Sequence, residues 1–182
     1  MGSKDANILE AATRCFVRYG FSKTTMNDIA REAGVARQTL YNAYPGKNDV
    51  LRAAMRNNVD AIFEQVENGW AEMDSFEDKL DLFYQLGPLA WWDMVQTAPD
   101  TAELIDGLHS VGAEVLNEAN ARWAKRFEAL ISEHFPETTD IPSMADFLFS
   151  SAANAKVGAS DRAMIERRLL TLRRAVVALL AV

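Results

Sequence analysis

Five residues in a six-residue stretch, Arg37, Gln38, Thr39, Tyr41 and Asn42, carry the side chains best able to read a nucleic acid. On a helix over this stretch they all face outward while Leu40 turns inward. Arg donates, and Gln and Thr both donate and accept, hydrogen bonds in patterns that match base edges in the major groove of DNA. The sequence therefore assigns base contacts to Arg37, Gln38 and Thr39. Tyr41 and Asn42, with Thr24, Thr25, Tyr44 and Lys47, are assigned to phosphates. Lys47 opens the next helix, where an ammonium group and free backbone amides together favour an anion.

No other cluster suggests chemistry. The two histidines, His109 and His134, have no second ligand pair at a metal spacing. There is no phosphate-cradling glycine loop, and Ser, His and acid residues form no nucleophile motif. The expectation is a protein with no catalytic residues, no metal and no cofactor. The single cysteine, Cys15, shares a helical arc with Ile8, Leu9, Ala12, Phe16 and Tyr19 and is read as a small buried apolar group.

Two short helices and a tight turn must position the polar residues. Thr25 can cap a helix beginning near Met26, with Asp28 completing a capping box. Ile29, Ala30 and Ala33 form its inner face, and Gly34 follows where a left-handed backbone costs least. Val35 plugs the angle, and the second helix runs from about Ala36 to Ala43. This is the spacing of a helix-turn-helix, with the second helix free to enter a groove.

These residues resemble the DNA-binding domain of the TetR/AcrR family of bacterial transcriptional regulators. The resemblance lies in the helix from Ile8 to Tyr19, then Gly20, Phe21, Thr24, Thr25, Ile29, Ala30, Ala33, Gly34, Val35, Leu40, Tyr41, Tyr44, Lys47 and Leu51. It covers the first quarter to third of the chain. Three positions depart from the family pattern: Ala36 where a Ser cap is usual, Gly46 where Ser or Asn often precedes the Lys, and Tyr44 where Phe is commoner.

Charge supports a division of labour. Residues 1–60 hold nine Lys and Arg against six acids, net +3, so the remainder carries −10 of the total −7. An acidic chain is repelled by DNA unless its positive charge is gathered beside the motif. The expected domains are 1–46, a helix-turn-helix DNA-binding domain, and 47–182, a helical ligand-binding and dimerisation domain. With 182 residues and 49% apolar content the chain can bury a sizeable core. It has no apolar run of membrane length, and its N-terminus lacks a signal-peptide core, so a cytoplasmic location is expected.

Apolar residues recur at three and four rather than two, which predicts an all-α fold of about nine helices. They are expected near 4–19, 26–33, 37–43, 47–69, 76–97, 101–116, 118–135, 142–156 and 161–181, with Gly87 and Pro88 kinking the fifth. The fourth helix is shared by both domains and could carry motion as a rigid rod.

In the last helix Ile165, Leu169, Leu172, Val176 and Leu179 make a continuous apolar stripe. With Phe147 and Ser151 of the preceding helix they are read as a homodimer interface, and the resemblance implies a four-helix bundle there. A twofold dimer suits a palindromic operator. Between these parts lies an aromatic, Met-rich middle: Phe63, Trp70, Phe83, Tyr84, Trp91, Trp92, Met94, Trp123 and Phe127. Adaptable side chains of this kind suit a pocket for a small apolar or aromatic effector, with His109 and Asn120 as polar contacts.

The sequence thus points to a ligand-responsive repressor that binds a palindromic site in double-stranded DNA as a dimer. The alternative is a DNA-tethered adaptor whose filled core leaves the acidic domain to bind a protein partner. A further alternative is a helical metabolite-binding protein or enzyme in which the turn motif is vestigial.

Overall fold

The computed structural model describes residues 3–98 and 101–180, with the backbone alone for 3, 4, 101–104, 106, 107 and 109. Every regular element in that range is helical. They are α1 (Ser3–Tyr19), α2 (Met26–Glu32), α3 (Arg37–Ala43), α4 (Lys47–Ala71), α5 (Phe76–Tyr84), a π-helical turn (Gln85–Leu89), α6 (Ala90–Gln96), α7 (Thr101–His134), α8 (Ile141–Asn154) and α9 (Arg162–Leu180). Because α5, the π turn and α6 run on without interruption, the described chain forms eight continuous helical rods. The all-α expectation holds.

Backbone packing divides the chain into two compact units: residues 1–61 with 94–117, and 62–93 with 118–182. The position 46/47 expected as a boundary lies within the first unit, where Val50, Leu51 and Ala54 of the opening turns of α4 are buried.

In the first unit the apolar face of α1 is buried as its periodicity dictates. Ile8, Leu9, Ala12, Cys15 and Phe16 are nearly inaccessible to water, as are Ile29, Leu40, Val50 and Leu51 of the same unit. Burial pushes the Cys15 thiol above its ordinary pKa, as a small core residue requires. Tyr19, placed on the same arc from sequence, stands instead at the rim, where Arg18 lies over its ring at 5.4 Å.

The second unit has an aromatic and aliphatic core. Val66 and Trp70 of α4, Leu80 and Phe83 of α5, Trp123, Phe127, Leu130 and Ile131 of α7, Leu148 of α8 and Ile165, Leu169 and Val176 of α9 belong to it. Ser75 caps α5 by accepting from the Asp78 amide at 3.2 Å, and Asp140 caps α8 by accepting from the Ser143 amide at 3.2 Å. Asp161 accepts from the Met164 amide at 2.7 Å at the start of α9, which holds its carboxyl below the ordinary carboxylate range.

One expectation is corrected. The break near residue 117 does not exist: α7 is one helix of 34 residues, about 50 Å long at 1.5 Å per residue. Asn117 is only a weak helix breaker, and neither Pro nor a turn-forming pair stands beside it. The disturbance expected at Gly87 and Pro88 is present, as a π turn between α5 and α6 rather than as an end of the helix. Proline cannot donate to the ladder and its ring crowds the carbonyl four residues back, so the chain widens by one residue instead. The Ala90 amide reaches back to the Gln85 carbonyl, five residues away, across the π turn.

Candidate nucleic-acid interface

The turn between α2 and α3 is built as its residues require. Gly34 adopts φ +64, a left-handed conformation that L side chains resist, and its amide donates to Arg31 O at 3.2 Å. The Val35 amide donates to Ala30 O at 3.0 Å, closing the end of α2. At the start of α2 the capping box is complete: the Asp28 amide donates to Thr25 Oγ1 at 3.2 Å and the Thr25 amide to Asp28 Oδ2 at 3.0 Å. The Thr25 hydroxyl and amide both hold the Asp28 carboxyl below its ordinary pKa. Ala36 sits at the N-cap of α3 and offers no side-chain bond, so that helix begins uncapped.

Leu40 anchors α3 with no exposure, while Arg37, Gln38, Tyr41 and Asn42 are exposed and Thr39 is half-buried. The exposed side chains form two ladders at i and i+4. Arg37 Nη2 donates to Tyr41 Oη at 3.4 Å, with the guanidinium 5.2 Å over the ring. Gln38 Nε2 donates to Asn42 Oδ1 at 2.8 Å. The pairing of these four was not anticipated, although the i, i+4 spacing signals it.

Three other cations nearby are spent on carboxylates: Arg14 on Glu32, Arg31 on Asp28 and Arg52 on Asp49, each at 2.8 Å. Arg37 and Lys47 meet no carboxylate among the described residues, so their charge remains for an outside anion.

Lys47 and Thr24 are used more fully than the sequence suggests. Lys47 Nζ donates to Phe21 O at 2.7 Å and Ser22 O at 3.2 Å, and lies 4.4 Å over the Phe21 ring. It latches the loop joining α1 to α2, yet an ammonium has three donors and one remains. Thr24 is 1% exposed, and its hydroxyl donates to Gly20 O at 2.7 Å and Cys15 O at 3.1 Å. Its side chain is not offered to a phosphate, which corrects the contact assigned to it from sequence. Thr25 is exposed. Tyr44 is half-buried, and desolvation raises its phenol above the ordinary value.

The second unit gathers part of the expected effector pocket, as touching rings. Centroids lie 4.7 Å apart for Phe63 and Trp123, 4.9 Å for Phe83 and Trp123, and 4.9 Å for Phe83 and Phe127. Tyr84 is buried beside them, its hydroxyl without a partner and its pKa pushed far up by burial. Trp92 packs half-buried against this core, and Trp91 is half-buried with Lys156 Nζ 4.7 Å over its ring. Two assignments are corrected. Met94 belongs to the first unit, and Asn120 is exposed on the solvent side of α7. The side chain of His109 lies outside the described residues. A polar cleft of about 310 Å³ opens elsewhere in this unit, lined by Glu67, Trp70, Met73, Lys79, Arg126 and Glu133. Within it the almost fully buried Lys79 donates to Glu133 Oε1 at 3.3 Å and to His134 Nε2 at 3.2 Å, contacts that no sequence pattern announced.

The stripe on α9 is largely consumed by the chain's own core. Ile165, Leu169, Leu172 and Val176 are buried within it at 8% exposure or less, so they are not presented to a partner as the sequence suggested. Phe147 and Leu179 remain outside at 46% and 56% exposure, joined by Leu170 at 38%, and Ser151 is half-buried. No described helix is long and apolar enough to cross a membrane.

Residues 8–54 match the family model described as bacterial regulatory proteins, tetR family. Over 59 residues the chain is 36% identical to an uncharacterized HTH-type transcriptional regulator of Mycobacterium bovis, which covers 32% of this chain and 31% of that protein. The match thus spans about a third of the length of that relative. Among solved structures, a TetR transcription regulator from Haloarcula marismortui aligns with a TM-score of 0.78 at 16% identity over 98% of both chains. A transcriptional regulator from Saccharomonospora viridis in complex with choline aligns with a TM-score of 0.66 at 21% identity over 94% of both chains. At such identities these likenesses concern the fold, which extends over nearly the whole chain.

Proposed function

We propose that this chain, whose residues 8–54 match the model described as bacterial regulatory proteins, tetR family, is a sequence-specific DNA-binding transcriptional regulator of that family, a ligand-responsive repressor acting on a palindromic operator as a homodimer. The observation that carries this reading is the exposed face of α3. Arg37, Gln38, Tyr41 and Asn42 project from a helix whose other side is held by Leu40, with Lys47 nearby, and neither Arg37 nor Lys47 meets a carboxylate among the described residues. Such a helix can enter the major groove with Arg37, Gln38 and Thr39 at base edges. Thr25, Tyr41, Asn42, Tyr44 and Lys47 are then placed for phosphates. Catalysis has no part in this reading, and the cytoplasm, where the DNA is, is its location.

Dimerisation is assigned to the outward edges of α8 and α9, through Phe147, Leu170 and Leu179. Phe63, Phe83, Tyr84, Trp123 and Phe127 are the proposed effector side chains, and the buried, unpaired Tyr84 hydroxyl gives an effector one polar group to engage. The choline-bound neighbour shows a small molecule held by a protein of this fold. Effector binding lowers DNA affinity by favouring a dimer spaced wrongly for the operator, which requires a difference in ligand affinity between the two states.

The packed rings favour a second reading on one point. If the aromatic centre never opens, the chain is a DNA-tethered adaptor whose acidic surface recruits a protein. Purification followed by mass spectrometry of the denatured supernatant, together with a small-molecule screen for loss of DNA binding, separates the two. A compound that weakens binding supports the repressor. Consistent failure of every compound class, with DNA binding intact, supports the adaptor.

A further inference from the structure

A primary amide has two N–H donors and one carbonyl acceptor, and an exposed Gln ordinarily swings freely about three side-chain bonds. Gln38 does not. Its Nε2 donates to Asn42 Oδ1 at 2.8 Å, one helical turn away. That bond takes one N–H and fixes the amide plane, leaving the other N–H and Oε1 at the exposed edge of α3. A donor and an acceptor fixed in one plane complement the major-groove edge of adenine, where N7 accepts and the 6-amino group donates. Guanine presents two acceptors there, and would leave Oε1 facing an oxygen. Cytosine presents a donor alone, and thymine an acceptor beside a methyl group.

We propose that Gln38 reads an adenine in each half-site and that Asn42 is the positioning residue that holds its amide in the reading orientation. This rests on the DNA-reading role of α3 given above and names the base that one of its side chains selects. It moves Asn42 from phosphate contact to base selection. Asn42 raises specificity without touching the base, by restricting Gln38 before the complex forms, so that less freedom is lost on binding.

The experiment is selection from random duplex DNA by the full-length protein. Competition binding of the selected site and its single-base-pair variants then follows, for wild type, Gln38→Ala, Asn42→Ala and Asn42→Asp. Wild type is expected to prefer one A·T pair per half-site by about tenfold or more over G·C, in line with a bidentate contact, and Gln38→Ala to lose that preference at that pair alone. Asn42→Ala is expected to reduce the same preference several-fold with the salt dependence unchanged. Asn42→Asp keeps an acceptor for Gln38 and so keeps the preference, while like charge weakens binding to every sequence alike. Thermal melting of each variant confirms folding, which these exposed positions do not threaten.

Relaxation at a G·C pair in Gln38→Ala overturns the adenine assignment. Uniform weakening by Asn42→Ala with a shallower salt slope returns Asn42 to the phosphates and overturns its positioning role. If wild type selects no motif at all, both this inference and the regulator reading fail, whereas a motif indifferent to Gln38 sinks the inference alone.

Discussion

Replacing Lys47 by Met separates two jobs that one ammonium group does. Two of its three donors hold Phe21 O and Ser22 O at 2.7 and 3.2 Å, with the charge 4.4 Å over the Phe21 ring. Hydrogen bonds from a charged group contribute about 1.5–3 kcal/mol when well shielded, but Lys47 is only half-buried, so water replaces much of each. Met also keeps the aliphatic stem that packs along the loop. The expected loss of stability is therefore about 1–2 kcal/mol, and at roughly 2–4 °C per kcal/mol for a chain of this size the melting temperature falls by about 2–8 °C. The third donor is proposed to meet a phosphate, so the slope of log K against log salt becomes shallower by about 0.9 for each subunit that loses the contact. Differential scanning fluorimetry and binding at several salt concentrations measure both effects. A lower melting temperature with an unchanged salt slope refutes the phosphate contact and leaves a loop latch. An unchanged melting temperature refutes the latch.

Four further outcomes follow from the geometry. Ala36→Ser supplies the side-chain cap that α3 lacks and is expected to stabilise the protein by about 1 kcal/mol, read as a rise in melting temperature. Arg37→Ala is expected to relax selectivity at one base pair by about 1–3 kcal/mol without changing stability, measured by competition with single-base variants. Gly34→Ala meets no neighbouring atom within 4 Å, so only the strained φ of +64 opposes it. Its cost in denaturant unfolding should be about 1–2 kcal/mol. The Lys79 bond holds the Glu133 carboxyl below its ordinary value of 4.5, so the ionised pair stabilises the fold above that pH and its contribution is lost as pH falls through the lowered value. The gap in melting temperature between wild type and Glu133→Gln should accordingly shrink in acid.

The helix-turn-helix was legible in the sequence because its determinants are local. Thr25 with Asp28, Gly34, and the spacing from Ile29 to Leu40 each act over a few residues, and all stand where expected. What the sequence concealed depends on partners far along the chain. Lys47 finds its acceptors 25 and 26 residues away, and Lys79 finds Glu133 54 residues away. Periodicity identifies an apolar face on α9 but cannot say what covers it. The chain's own core, to which α5 and α8 contribute, took Ile165, Leu169, Leu172 and Val176, while Phe147, Leu170 and Leu179 stayed exposed. The aromatic middle was likewise visible as composition, whereas its close ring contacts are a matter of packing. Proline at 88 was visible as a helix breaker, but the sequence did not show that a π turn with Pro88 and Leu89 buried would absorb it.

The central claim is that α3 reads DNA sequence, and binding of the purified protein to the duplex immediately upstream of its own coding sequence, titrated with salt and competed with scrambled duplex, tests it most directly. The account predicts sequence-selective binding that weakens steeply as salt rises, with selectivity reduced in Arg37→Ala and Gln38→Ala. Binding that is equally strong to scrambled duplexes, there and on DNA selected from random sequence, contradicts it.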